Sequence, residues 1–264
     1  MFSVLFGFEF EMYFNDVFVG YYVAIVFIGF IIGKICAWCN IRIPDKKKIF
    51  SKDFFVESKK GIKFNYIYMI ITAILYCGLL YKYGINKSFF ENLDLIKYMI
   101  LVPFLLLIFG IDLEHRIIPN RLTLLLFEIG LIITFLYGIS NINMAKNYIL
   151  GMIVGAGIFF VILILGKLFY QKESMGYGDV KLIGALGLFF GYMGIIEISI
   201  ASFVIGALVS VVILIIRNLV LKNKDEYVAF GPFIVISALL CIFLPTHTIL
   251  DLFLNFCRWI SYKI

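Results

Sequence analysis

The chain has 264 residues, of which 63% are hydrophobic, 18% aromatic and 15% charged, with a net charge of +6. Soluble domains average about 45–50% apolar and about 25% charged, so this composition excludes an ordinary water-soluble enzyme and points to a lipid bilayer. The positive charge calls for no nucleic-acid partner, because membrane topology and anionic lipids account for it.

Residues 1–10 are largely apolar but lack a basic flank, with Glu9 among them and Glu11 just after, so they do not read as a cleaved signal peptide. The whole chain is read as mature. Charge-free runs follow at 17–33, 64–81, 148–166, 198–216 and 228–244, each close to the roughly 20 residues of a spanning helix. Three further runs are weaker: 98–111 is short, 122–137 contains Glu128, and 182–196 is rich in glycine. Such segments fit where protein rather than lipid is the neighbour. The expectation is an all-α polytopic membrane protein with about eight transmembrane helices, forming one domain over 1–264. Its 45–63 loop is too short to hold a core of its own.

Basic residues set the expected orientation. With the N-terminus outside, sixteen lysines and arginines fall on one side, in 42–63, 116–121, 167–181 and 217–224. The other side receives six: Lys82, Lys87, Lys97, Lys146, Arg258 and Lys263. The first side is therefore read as cytoplasmic, with anionic lipid beside it.

Two carboxylates stand out against this background. Asp112, in Gly110-Ile111-Asp112-Leu113-Glu114-His115-Arg116-Ile117-Ile118-Pro119-Asn120, ends an apolar run. Asp179, in Ser174-Met175-Gly176-Tyr177-Gly178-Asp179-Val180-Lys181, precedes one. An ionisable group at a membrane boundary is read by default as a site. Both aspartates fall on the cytoplasmic side of the expected topology. Asp112 and Glu114 are two residues apart and would face different sides of a helix, so Asp179 is the natural partner of Asp112. Two neighbouring carboxyl groups that share a proton can activate water and protonate a peptide carbonyl, because adjacent like charges do not ionise together cheaply. Gly176 and Gly178 offer unusual backbone angles and room for an extended substrate strand. Read singly, Asp179 is an ordinary helix N-cap; Asp112 is not, since a negative charge at a helix C-terminus is unfavourable.

These residues resemble a known family. The segments GIDLEHRIIPNRLTL (110–124) and ESMGYGDVKLIGALG (173–187) are similar to the two signatures of type IV prepilin peptidases, intramembrane aspartyl proteases of the GxGD type. VAFGPFIVISA (228–238) resembles the family's late FGPF segment, and GKICAWCNIRIP (33–44) the end of its first span. The resemblance implies that Asp112 and Asp179 are catalytic, that Gly176 and Gly178 are the glycines of the second motif, and that Lys181 lies just beyond it. It implies cleavage of a short basic leader from prepilin or pseudopilin precursors at the cytoplasmic face of the bacterial inner membrane. Glu114, Glu173, Asp225 and Glu226 would lie on that face, where acidic side chains attract a basic leader, and Gly231-Pro232 would break the last helix near the site.

One departure bears on cofactors. Many bacterial members carry two CxxC pairs between their first two spans, linked to zinc and to N-methylation, whereas 45–63 holds no cysteine here. Cys36 and Cys39 form one CxxC at the end of the first span, and two thiols do not complete a four-ligand structural zinc site. Neither zinc nor S-adenosylmethionine is expected. From another class, an ion- or proton-coupled transporter would also place carboxylates at broken helices. It would call for an internal inverted repeat, and none is visible.

Overall fold

The computed structural model describes residues 13–14, 17–44, 62–86, 88–170, 175–216, 229–245 and 248–263. Within them the chain is all-α apart from a two-residue antiparallel ribbon, β1 (Tyr13–Phe14) with β2 (Val17–Phe18). The helices are α1 (Val19–Arg42), α2 (Ile62–Tyr83), α3 (Leu93–His115), α4 (Asn120–Ser140), α5 (Ile142–Tyr170), α6 (Tyr177–Ile216), α7 (Gly231–Phe243) and α8 (Thr248–Lys263). The chain packs as two compact units, 1–38 with 50–103 and 39–49 with 104–264. Residues 45–61 of the expected loop lie outside the described residues, and Ile62 and Lys63 already belong to α2.

In the first unit, packing follows from missing atoms. A side chain at Gly33 would come within 2.5 Å of the Met69 backbone, so α1 and α2 lie against each other. Pro103 sits inside α3 and has no N–H for the carbonyl one turn back. That carbonyl, on Met99, instead accepts from the Tyr76 hydroxyl at 2.6 Å. An orphaned carbonyl is expensive in hydrocarbon, and a buried tyrosine removes the problem here.

The second unit is organised on α6, which packs along α4, α5 and α7 and touches α8. Glycines allow the close crossing of α5 and α6: a Cβ on Gly151 would lie 2.6 Å from the Gly187 carbonyl and 2.5 Å from the Gly191 backbone. Gly191 has φ 70° and ψ −178° and breaks the helix, a conformation open essentially to glycine alone. Asn147 of α5 satisfies the break, accepting from the Tyr192 N–H at 3.1 Å.

Among the described residues, six helices are long and apolar enough to cross a membrane, or up to seven if the bent pair α7 and α8 counts as one span. The sequence suggests about eight. The difference lies in α6, an element of 40 residues counted once although two helices meet in it at the kink at Gly191, inside the run 182–196 rather than at Glu197 between that run and 198–216. At 1.5 Å per residue such a length is about 60 Å, roughly twice the hydrocarbon thickness of a bilayer. The helix α8 corresponds to no run singled out in the sequence, because polar residues such as Asp251, Asn255 and Arg258 interrupt its apolar ones.

Candidate active site

The site lies within the second unit, where three helix ends meet. Asp112 sits in the last turn of α3, whose end is marked by Arg116 with a left-handed φ of 55°. The Arg116 N–H still bonds back to the Asp112 carbonyl at 2.9 Å. The 117–119 link then leads into α4 behind Pro119.

Asp179 is in the first turn of α6. It is not the N-cap. Gly176 precedes the helix, the Asp179 N–H donates to the Gly176 carbonyl at 3.1 Å, and the Gly176 N–H donates to Asp179 Oδ2 at 3.2 Å. This is the half of a capping box in which the N3 carboxylate reaches back to the amide before the helix.

The third end is the start of α7. Phe230 stacks near Phe159 of α5 and Phe203 of α6, with ring centroids 6.1 and 5.4 Å away, and Phe233 adds an edge contact at 6.0 Å. Those rings anchor the FGPF segment. Gly231 then opens the helix and its N–H donates to the Asp112 carboxylate. A side chain at this position would displace the carboxylate: a Cβ there would overlap Asp112 Oδ2. Pro232 follows in the first turn, where a missing N–H is tolerated.

Asp112 and Asp179 are 4% and 7% exposed and stand within reach of each other's charge. They share a cavity of about 540 Å³ with Gly176, Gly178 and Lys181, closed further by Ile118, Tyr177 and Phe230. Of the remaining sequence candidates, Gly231 stands beside Asp112 and Pro232 follows it in α7, while Glu114 is exposed, does not line the cavity, and lies 3.9 Å from His115. Glu173, Asp225 and Glu226 lie outside the described residues. Glu128 is exposed along α4.

Two expectations change. Gly176 and Gly178 do not take left-handed φ angles, because a helix entry needs only ordinary ones. Their contribution is close approach: a Cβ at Gly178 would lie 3.0 Å from Ile118, and one at Gly176 would lie 3.3 Å from Asp179 Oδ2. The sequence also gave Asn120 no role, yet it accepts from Lys181 Nζ at 2.9 Å and lines the cavity. Its position at the start of α4, just after Pro119, was the available signal.

Cys36 and Cys39 are both buried in α1, at 2% and 7% exposure. Among the described residues no group of three His, Cys, Asp or Glu is arranged to hold a metal ion. Cys36 and Cys39 supply two of the four ligands that a structural zinc takes.

A prepilin leader peptidase/N-methyltransferase of Xanthomonas campestris pv. campestris is 30% identical over 225 residues, 84% of this chain and 73% of that protein. A protein of the same name from Legionella pneumophila is 29% identical over 78% of this chain and 68% of its own length. One from Neisseria gonorrhoeae is 28% identical over 76% of this chain and 64% of its own. No solved structure matches the chain significantly. The profile of the type IV leader peptidase family matches residues 99–211, a stretch that contains both aspartates. With helices that can cross a membrane several times over and a relative of this similarity along most of its length, the chain is a multi-pass membrane peptidase that belongs to the type IV leader peptidase family.

Proposed function

We propose that the chain is an aspartyl endopeptidase that removes the basic leader from type IV prepilin or pseudopilin precursors at the cytoplasmic face of the bacterial inner membrane. The observation that carries this reading is the pair Asp112 and Asp179, buried in one cavity, each accepting from a backbone amide at the start of a helix. The substrate class rests on the names of the relatives, which are prepilin leader peptidases.

In the proposed reaction one carboxylate takes a proton from a water while the other, protonated, gives its proton to the scissile carbonyl oxygen. Water adds to the carbonyl carbon, and the resulting tetrahedral diol collapses as the amine leaves with a proton. The two carboxyl groups need share only one proton throughout. The Gly231 and Gly176 N–H groups each hold one of the two carboxylates in place at the cavity. Gly178, having no Cβ, lets Ile118 pack closely against the start of α6 at the edge of the cavity. The chemistry uses neither zinc nor S-adenosylmethionine, and no step is routed through either. Methylation of the new N-terminus is absent or supplied by another protein.

Orientation belongs to the same proposal. If α6 crosses the bilayer twice, turning at Gly191, its two ends lie on one side and the basic segments at 42–63, 116–121 and 217–224 share the cytoplasm. Cysteines introduced at positions 52 and 223 of a cysteine-free variant should then react only when the inner face is open, and one at 87 from outside. Reversed labelling overturns the cytoplasmic site.

The deciding experiment is incubation of the purified protein, in bacterial-lipid vesicles, with candidate precursors and S-adenosylmethionine. Sequencing and mass spectrometry should find one new N-terminus at the end of the leader, without added methyl. Precursors left uncut overturn the function, and a gain of one methyl group overturns the loss of methylation.

A further inference from the structure

Next to the cavity that holds the aspartates lies a second one of about 840 Å³, also within the second unit. Leu124 and Phe127 of α4, Ile153 and Ala156 of α5, and Gly184 and Ala185 of α6 line it. Its lining is almost wholly apolar, and it opens outward past Leu124 and Ile153, which are 58% and 56% exposed. The floor is made close by small residues, since a Cβ on Gly184 would be 3.2 Å from the Ala156 Cβ. The two cavities adjoin. Asn120 and Lys181 line both, and their 2.9 Å hydrogen bond spans the boundary.

Position and size limit what this groove can take. Gly184 lies five residues along α6 from Asp179, about 7.5 Å at the helical rise, so the groove runs from the carboxylates toward the interior of the span. Two turns of a helix about 10 Å across occupy a volume of roughly the size observed. An apolar groove open to lipid with a small-residue floor is suited to close helix packing, and helix association in a bilayer depends on such packing. Lipid tails also fit apolar grooves, but the anionic phosphate of a lipid headgroup would have to lie beside the two aspartates of the adjoining cavity, where like charge disfavours it.

We infer that this groove seats the first turns of an apolar helix of the substrate, directly beyond the scissile bond, which enters sideways from the bilayer. The inference rests on the peptidase function proposed above and adds to it where the substrate lies. The helix side of the substrate occupies α4, α5 and α6, the Lys181–Asn120 bridge marks where helix gives way to extended strand, and the strand crosses the aspartates. A peptidase built in this way reads the junction between an apolar helix and a polar leader, rather than a side chain in one specificity pocket.

The test is photocrosslinking from p-benzoylphenylalanine placed at Leu124 or Ile153, in the Asp112→Asn, Asp179→Asn double variant, mixed with a full-length precursor in vesicles. Wild-type protein in the same vesicles is assayed for cleavage in parallel. Adducts mapped by mass spectrometry to the first two turns of the precursor's apolar segment are the expected result. Adducts on the basic leader, on a second copy of the peptidase or on lipid alone, or no adduct, overturn the groove assignment while cleavage by wild type persists. Failure of wild type to cleave brings down the function instead. Independently, Leu124→Trp should raise KM for the precursor about tenfold with a much smaller change in kcat, whereas Ile139→Trp, on the same helix but away from the groove, should change neither. An unchanged KM in Leu124→Trp also overturns the inference.

Discussion

Asp112 and Asp179 are the same residue type, equally buried, and held by opposite strategies. Asp179 belongs to the helix that stabilises it: three residues into α6, it accepts from the Gly176 amide within its own turn. Asp112 is at the wrong end of its helix, where unpaired carbonyls make a negative charge unfavourable. Its amide comes from α7, where Gly231 opens a different helix. The start of a helix presents free N–H groups to an anion, so both carboxylates meet the same chemistry by different routes. One is fixed by local sequence and the other by tertiary packing. The Asp112 side should therefore be the more fragile under mutation.

The largest effect tests the pair itself. Asp112→Asn and Asp179→Asn should each lower precursor cleavage at least about 10²–10⁴-fold, the usual contribution of a positioned acid or base, while Glu114→Gln stays active. Cleavage by either asparagine variant at a near wild-type rate would remove that residue from the chemistry.

The second prediction separates the two routes. Gly231→Ala places a methyl group against Asp112 and should cut kcat by about tenfold to a hundredfold, since a displacement near 1 Å is enough for that. Gly176→Ala keeps the amide and meets Asp179 only at 3.3 Å. It should lower stability by up to about 1 kcal/mol, the difference between glycine and alanine as caps, with a small loss of rate. Equal losses in the two variants would mean that the two carboxylates are held alike.

Much of this was legible from the sequence, for reasons that are local. Each of the apolar runs at 17–33, 64–81, 98–111, 122–137 and 148–166 lies within or nearly within one helix, because spanning helices are written in composition. The aspartates stood out because each interrupts such a pattern. Other features depended on distance or on a single residue. Nothing near Asp112 announces Gly231: the resemblance of the FGPF segment put a helix break near the site, but not the contact between Gly231 and the Asp112 carboxylate. The count of spans turned on Gly191, one glycine among many in 176–194, whose φ of 70° sets it apart only in three dimensions. Asp179 differs from an N-cap by three positions, a distance that sequence does not resolve, yet this decides that its carboxylate bonds backward to Gly176 and not forward into α6.

The third prediction acts on the scaffold of the Asp112 side alone. Phe159 is fully buried and its ring meets both Phe203 and Phe230. Phe159→Ala removes the packing that seats the start of α7 and should lower stability by about 3–5 kcal/mol, as for other buried phenylalanines. At a temperature where the variant is folded, kcat should still be reduced, because Gly231 is less firmly set. Retention of full activity by the folded variant would show that α7 is positioned by other contacts.

The smallest effect is expected at the residue beside the critical glycine. Pro232 occupies a first-turn position in α7, where a backbone N–H has no partner within the helix in any case. Pro232→Ala therefore breaks no hydrogen bond and supplies one extra donor near an anionic site. The ring is buried, so its loss leaves a small void and should lower stability by about 1 kcal/mol, the centre of the range for point mutants. Thermal unfolding would measure that loss, and cleavage should remain within about threefold of wild type, in line with so modest a change. A collapse of activity in a stable Pro232→Ala protein would mean that the proline ring, and not the Gly231 amide, sets the direction in which α7 meets Asp112. The tertiary half of the comparison would then rest on the wrong residue.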